Sequence, residues 1–69
     1  MTNTEELEKD IAASGLKLSY LADQLHLTTA GLRKKIKGQN EFKGSEIVKL
    51  AELLKQDKAR RDFIFLTIR

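Results

Sequence analysis

Up to residue 54, apolar residues in this chain recur at spacings of three and four. Leu18, Leu21, Ala22 and Leu25 form one set, Leu32 and Ile36 a second, and Ile47, Leu50, Ala51 and Leu54 a third. Only a helix brings positions spaced in this way onto one face. Each set is short and ends at a glycine or a polar stretch, so the expected architecture is all-α, with four to five short helices. A chain of 69 residues with no cysteine must then find its stability elsewhere than in disulfides. Below about 70–80 residues a single core supplies only about 3–5 kcal/mol unless tight helix packing, a metal or a partner adds to it. Thiolate metal sites are excluded, and His26, the single imidazole, has no carboxylate pair at helical spacing that suggests a metal site. Tight helix packing or oligomerisation remains, in one domain spanning residues 1–69.

The strictly apolar runs fall far short of the roughly 20 residues that span a bilayer, and the N-terminus reads acidic at Glu5 and Glu6 where a signal peptide would be basic. A cytoplasmic protein with no membrane partner is the expectation. Catalysis is not expected, because Ser14, Ser19, Ser45 and the threonines have only His26 as an imidazole partner, and a nucleophile needs a positioned base. No cofactor is expected, and no small-molecule ligand, since the chain has no room for a ligand-sensing domain.

Net charge is +3, unevenly spread. Up to residue 31, Glu5, Glu6, Glu8, Asp10 and Asp23 outnumber Lys9 and Lys17. From residue 32 to 49, Arg33, Lys34, Lys35, Lys37, Lys43 and Lys49 stand against only Glu41 and Glu46. An acidic start and a basic middle suit a site-specific nucleic-acid reader, which is steered by the local field at its contact surface. A non-specific coating protein needs a broad basic surface and fits less well.

Punctuation sharpens the helices. Thr2 with Glu5, or Asn3 with Glu6, has the spacing of a capping box, which opens a first helix from about residue 3 to 14, closed by Gly15. A second helix is expected from about Leu18 to Leu25, with only Ser19 a good capping residue near its start. Thr28 caps a third, in which Leu32 and Ile36 face inward and Thr29, Ala30, Arg33, Lys34 and Lys37 face out; Gly38 ends it. Phe42 is expected to plug back into the core from an otherwise polar loop, Ser45 to cap a fourth helix, and Asp57 to cap a very short fifth one through Asp62. Phe63 to Arg69 is rich in aromatic and β-branched residues, as strands are.

Two short helices joined by about three residues, the second with a cationic outer face, describe a helix-turn-helix, here over about residues 18–37. "LSYLADQLHLTTAGLRKKIKG", from Leu18 to Gly38, resembles the helix-turn-helix of phage Cro and repressor proteins and of Xre-type regulators. "NEFKGSEIVKLAELL", from Asn40, resembles the loop and fourth helix that follow it in Gram-positive phage and prophage members. The resemblance covers roughly residues 4–56. It is carried by Ala22 where the helices cross, by Leu21, Leu25, Leu27 and Leu32 as the apolar frame, and by Phe42 with Ser45, Glu46 and Ile47. His26 stands where the family usually has a turn glycine; histidine visits positive φ more often than most residues, so the turn survives at modest cost.

The resemblance implies a lambda-repressor/Cro-like bundle that reads a double-stranded DNA operator, with a recognition helix at about Thr28 to Lys37. Thr29, Ala30, Arg33, Lys34 and Lys37 are then the residues facing bases, with Arg33 suited to a bidentate contact with guanine; Lys35 points sideways. Lys17, Ser19 and Thr28, near helix starts, and Asn40, Lys43 and Ser45, in the loop leading to the fourth helix, are the candidates for phosphates. Tyr20 fits a phosphate donor or a half-buried packing residue equally.

Such readers usually bind as dimers on half-sites about 34 Å apart. If the tail is a strand, its alternation leaves apolar residues on both faces. The expectation is therefore a short extended segment in which Phe63, Ile64, Phe65, Leu66 and Ile68 partly close the core and partly meet a partner chain. A final helix or strap packed inside its own monomer is the other arrangement. The leading function is a Cro-like transcriptional repressor in a phage lytic/lysogenic switch. The alternative is an antirepressor, which acts by binding a larger phage repressor protein.

Overall fold

The computed structural model describes residues 2–66. They form five α-helices and, among the described residues, no strand: α1 (Thr4–Ser14), α2 (Leu18–Gln24), α3 (Thr29–Ile36), α4 (Gly44–Leu53) and α5 (Lys58–Phe65). The core is the set of periodic positions read inward. Leu7, Leu21, Ala22, Leu25, Leu32, Ile36, Phe42, Leu50, Ile64 and Phe65 are buried together, with Ile11, Leu16, Leu18, Leu27, Ile47, Leu53 and Leu54 packed around them. Ala22 is buried on α2, the helix most extensively packed against α3, as expected for a small residue at a helix crossing.

Helix starts follow the side chains that can accept orphan amides. Asn3, rather than Thr2, caps α1 by accepting the Glu6 amide at 3.3 Å. Thr28 caps α3 through the Gly31 amide at 2.9 Å, and Asp57 caps α5 through the Arg60 amide at 2.8 Å. Ser45 does not cap α4. That helix starts two residues earlier than its serine suggests, with Lys43 at the cap position, and it is Glu46 that reaches back to accept the Lys43 amide at 2.9 Å. Ser19 likewise lies inside α2, whose cap residue is Lys17.

Helix ends follow one design. After α2, the His26 amide donates to the Asp23 carbonyl and the Leu27 amide to the Ala22 carbonyl, with His26 at φ 59°. After α3 the same pair of bonds surrounds Gly38 at φ 83°, and after α4 it surrounds Lys55 at φ 57°. These are Schellman closures, which need one residue in the left-handed region. Glycine reaches it freely, whereas an L side chain there costs about 1–2 kcal/mol. His26 and Lys55 are both exposed, so their side chains give little back. His26→Gly and Lys55→Gly are each expected to stabilise the fold by about 1 kcal/mol after the added chain entropy of glycine, a rise of about 4–8 °C in Tm by circular dichroism. A fall in Tm would mean that the left-handed cost is already offset at that turn.

The C-terminal segment corrects the sequence expectation. Residues 63–65 are not extended: α5 continues past Asp62 to Phe65. Helical packing overrides the strand preference of Phe63, Ile64 and Phe65, because the consecutive pair Ile64 and Phe65 turns inward, at 0% and 4% exposure. Phe65 meets Phe42 edge-to-face, with ring centroids 5.4 Å apart at 85°. Ile64 and Phe65 therefore close this chain's own core and are unavailable to a partner. Phe63 and Leu66, three apart on the outer face, are 50% and 53% exposed. Ile68 lies outside the described residues. The Asn3 amide donates to the Ile64 carbonyl at 2.6 Å, which ties the start of the chain to the end of α5.

A charged clip reinforces that junction. The Arg60 guanidinium donates to both Asp10 carboxylate oxygens, at 2.8 and 3.1 Å, and to Glu6 at 2.8 Å, and lies 5.7 Å from the Phe63 ring centroid. Hydrogen bonds from Arg60, joined by Lys9 at Glu6 and Gln56 at Asp10, hold both carboxyls below their usual range, and the two carboxylates in turn hold the guanidinium proton more tightly. A carboxyl with a lowered folded pKa contributes stability that is complete above its unfolded pKa and is lost as pH falls through the folded value. Urea midpoints are expected to be level from pH 7 down to about 5 and to drop below about pH 4. Arg60→Met should lower the pH 7 midpoint and make the acid drop shallower; an acid limb as steep as in the wild type would remove the clip from the explanation.

Candidate nucleic-acid interface

The two-helix unit α2–α3 sets the geometry. Leu25 and Leu27 anchor the turn, the first buried and the second half-buried, while His26 between them turns the chain back through positive φ. The turn delivers Thr28 to the start of α3, where its hydroxyl satisfies the Gly31 amide. Gly31 fits this cap closely, since a Cβ there would lie 3.0 Å from Thr28 Oγ1. With Leu32 and Ile36 buried, Ala30, Arg33, Lys34 and Lys37 occupy the opposite side at the i, i+3, i+4, i+7 spacing of a helix face, and all are exposed. Thr29, the first residue of α3, is half-buried and thus less available than the sequence suggests.

The side chains of Arg33, Lys34 and Lys37 form no salt bridge among the described residues. Lys35 differs. It turns away from that face and donates to Glu46 Oε1 at 2.5 Å, in a pair whose side chains are only 12% and 9% exposed. Burial pushes the Glu46 carboxyl up, but hydrogen bonds from Lys35 and the Lys43 amide, with both positive charges nearby, outweigh it and hold the group below its usual range. The sequence marks Lys35 as the sideways cation, and its carboxylate partner is what sequence reasoning missed. Glu46 sits three residues after the cap position, where a capping-box carboxylate belongs, yet Lys43 is not a typical capping residue and the neighbouring Ser45 draws the assignment to itself.

The flanking polar residues lie at helix amide ends except Asn40, whose amide donates to the Lys34 carbonyl at the C-terminal end of α3. Lys17 is the cap residue of α2, makes no side-chain capping bond, and is exposed with Ser19 and Tyr20. Asn40 and Lys43 lie in the exposed connection between α3 and α4, and Ser45 in the first turn of α4. Phe42 pins this connection by inserting between them into the core. Tyr20 is 45% exposed, which fits a half-buried packing residue as well as a phosphate donor. Such amide ends carry partial positive charge, so cations and hydroxyls there attract anions. No group of three or more His, Cys, Asp or Glu among the described residues is placed to hold a metal ion, and no described helix is long and apolar enough to cross a membrane.

No protein-family model, curated protein or solved structure matches this chain.

Proposed function

We propose that the chain is a Cro-like helix-turn-helix regulator that binds a double-stranded DNA operator through α3 and represses transcription by occupying it, as in a phage lytic/lysogenic switch. The observation that carries this reading is the exposed face of α3, where Ala30, Arg33, Lys34 and Lys37 stand opposite the buried Leu32 and Ile36 and the three cations form no ion pair among the described residues. In the lambda-repressor/Cro-like arrangement this face enters the major groove, with Arg33 on guanine and the Ala30 methyl against a thymine methyl. Thr29 contributes its hydroxyl from the first turn. Lys17, Ser19, Thr28, Asn40, Lys43 and Ser45 hold phosphates and set orientation without reading sequence. Two copies bind together through Phe63 and Leu66, the exposed apolar pair at the C-terminal end of α5. Such a regulator works in the bacterial cytoplasm.

Selection of binding sites from a random duplex pool at about 0.15 M salt tests the reading, because specific complexes survive there and non-specific ones weaken to micromolar or worse. The expected result is an enriched inverted repeat with half-site centres about 10 base pairs apart. No enrichment by a folded chain overturns it and points to the antirepressor alternative, with a larger phage repressor as the partner.

A further inference from the structure

We propose that Glu46 is a positioning residue that holds the phosphate-gripping connection between α3 and α4 in register with the base-reading face of α3, through a single carboxylate oxygen. The inference rests on the DNA-binding reading above. Glu46 Oε1 accepts from the Lys43 amide at 2.9 Å and from Lys35 Nζ at 2.5 Å. The first bond fixes the end of the connection that carries Asn40 and Lys43; the second reaches the middle of α3, between Lys34 and Ile36. It is the one side-chain hydrogen bond between α3 and α4 among the described residues.

The pair is poorly explained as a source of stability. Its charges lie largely out of water, where desolvation offsets attraction and an apolar pair of similar volume would hold the helices together as well. What the ion pair adds is direction. α3 and α4 each pack on α2 and not on each other, which allows small shifts of one relative to the other, whereas two hydrogen bonds converging on one oxygen fix the separation between the Lys43 amide and the Lys35 stem. Arg33 and Lys34 on one side, and Lys43 and Ser45 on the other, then approach the duplex as a rigid unit, which is what simultaneous base and phosphate contacts require.

Charge and geometry predict opposite signs when the carboxylate is removed. Glu46→Met removes the acceptor and raises the net charge by one unit, which alone tightens binding to any duplex; loss of register weakens binding to the specific duplex only. The readout is the ratio of affinities for the duplex enriched by wild-type protein and for a scrambled duplex of equal length. Partial unfolding scales both affinities by the folded fraction and cancels, so a merely structural role leaves the ratio unmoved. Glu46→Met and Lys35→Met are each expected to lower the ratio by about three- to thirtyfold, and the double variant to fall no further than the deeper single one, because both cut the same strut. An unchanged ratio in Glu46→Met, or losses that multiply in the double variant, overturns the proposal while leaving the DNA-binding reading intact. If Glu46→Met does not fold, Lys35→Met, which keeps the Lys43 cap, decides alone, and an unchanged ratio there overturns it. Absence of selective binding by the wild-type chain overturns both.

Discussion

Ile64→Ala is expected to leave the chain largely unfolded in dilute buffer at 25 °C. Ile64 is fully buried, its carbonyl accepts the Asn3 amide, and its neighbour Phe65 completes the aromatic contact with Phe42. Truncating a buried isoleucine to alanine costs about 2–5 kcal/mol, from lost transfer energy and the cavity left behind. A domain of this size commands only about 3–5 kcal/mol, so the variant loses most or all of its stability. Leu66→Ala, two residues beyond Asn3's anchor at Ile64 and half-exposed, should shift stability by no more than about 0.5 kcal/mol. Far-UV circular dichroism and urea titration of the two variants read the contrast. A cooperative Ile64→Ala transition near the wild-type midpoint would mean that α5 is not part of the core. The same argument bears on dimerisation: removing everything after Asp62 would unfold the monomer, so a change in oligomeric state is to be sought in Phe63→Ser and Leu66→Ser, which spare Ile64 and Phe65.

The segments that were legible in the sequence are those in which local and tertiary preferences agree. The stripe of Leu21, Ala22 and Leu25, the Thr28 cap, the Gly15 and Gly38 stops and the insertion of Phe42 all follow from spacing and residue chemistry, and the structure has each of them. His26 at positive φ follows from the resemblance, which puts it in the place of a turn glycine. Where the two preferences conflict, the sequence misleads. Phe63, Ile64 and Phe65 favour strands individually, but a helix started by Asp57 can bury two of them in the core with its hydrogen bonds satisfied internally. A lone strand with no neighbouring strand could not satisfy its backbone. Lys55 gave no signal, because nothing in a lysine marks a left-handed turn; only the one-residue gap between Leu54 and the Gln56–Asp57 cap hints at it. Ser45 misled in the opposite sense, as a good capping residue beside a carboxylate that does the capping from farther along the helix.

Within the candidate interface, Arg33→Ala is expected to cost about 5- to 140-fold in affinity for the enriched duplex, the equivalent of about 1–3 kcal/mol for one bidentate contact with guanine, and to relax the sequence preference at one position of each half-site. Lys43→Ala should behave differently. Its loss should weaken binding to every duplex alike and lower the slope of log affinity against log salt by about 0.9 for the phosphate given up. The distinction follows from position, since Arg33 projects from the middle of the exposed α3 face while Lys43 stands at the amide end of α4. Titrations of both variants on the enriched and scrambled duplexes at several salt concentrations separate the two roles. Equal weakening of both duplexes by Arg33→Ala would assign that guanidinium to the backbone and pass the guanine contact to Lys34 or Lys37, its exposed neighbours on the same face. Base reading would then have moved toward the C-terminal half of α3, nearer to the strut that Lys35 makes with Glu46, and the specificity of Lys34 and Lys37 variants would become the more sensitive measure of that strut.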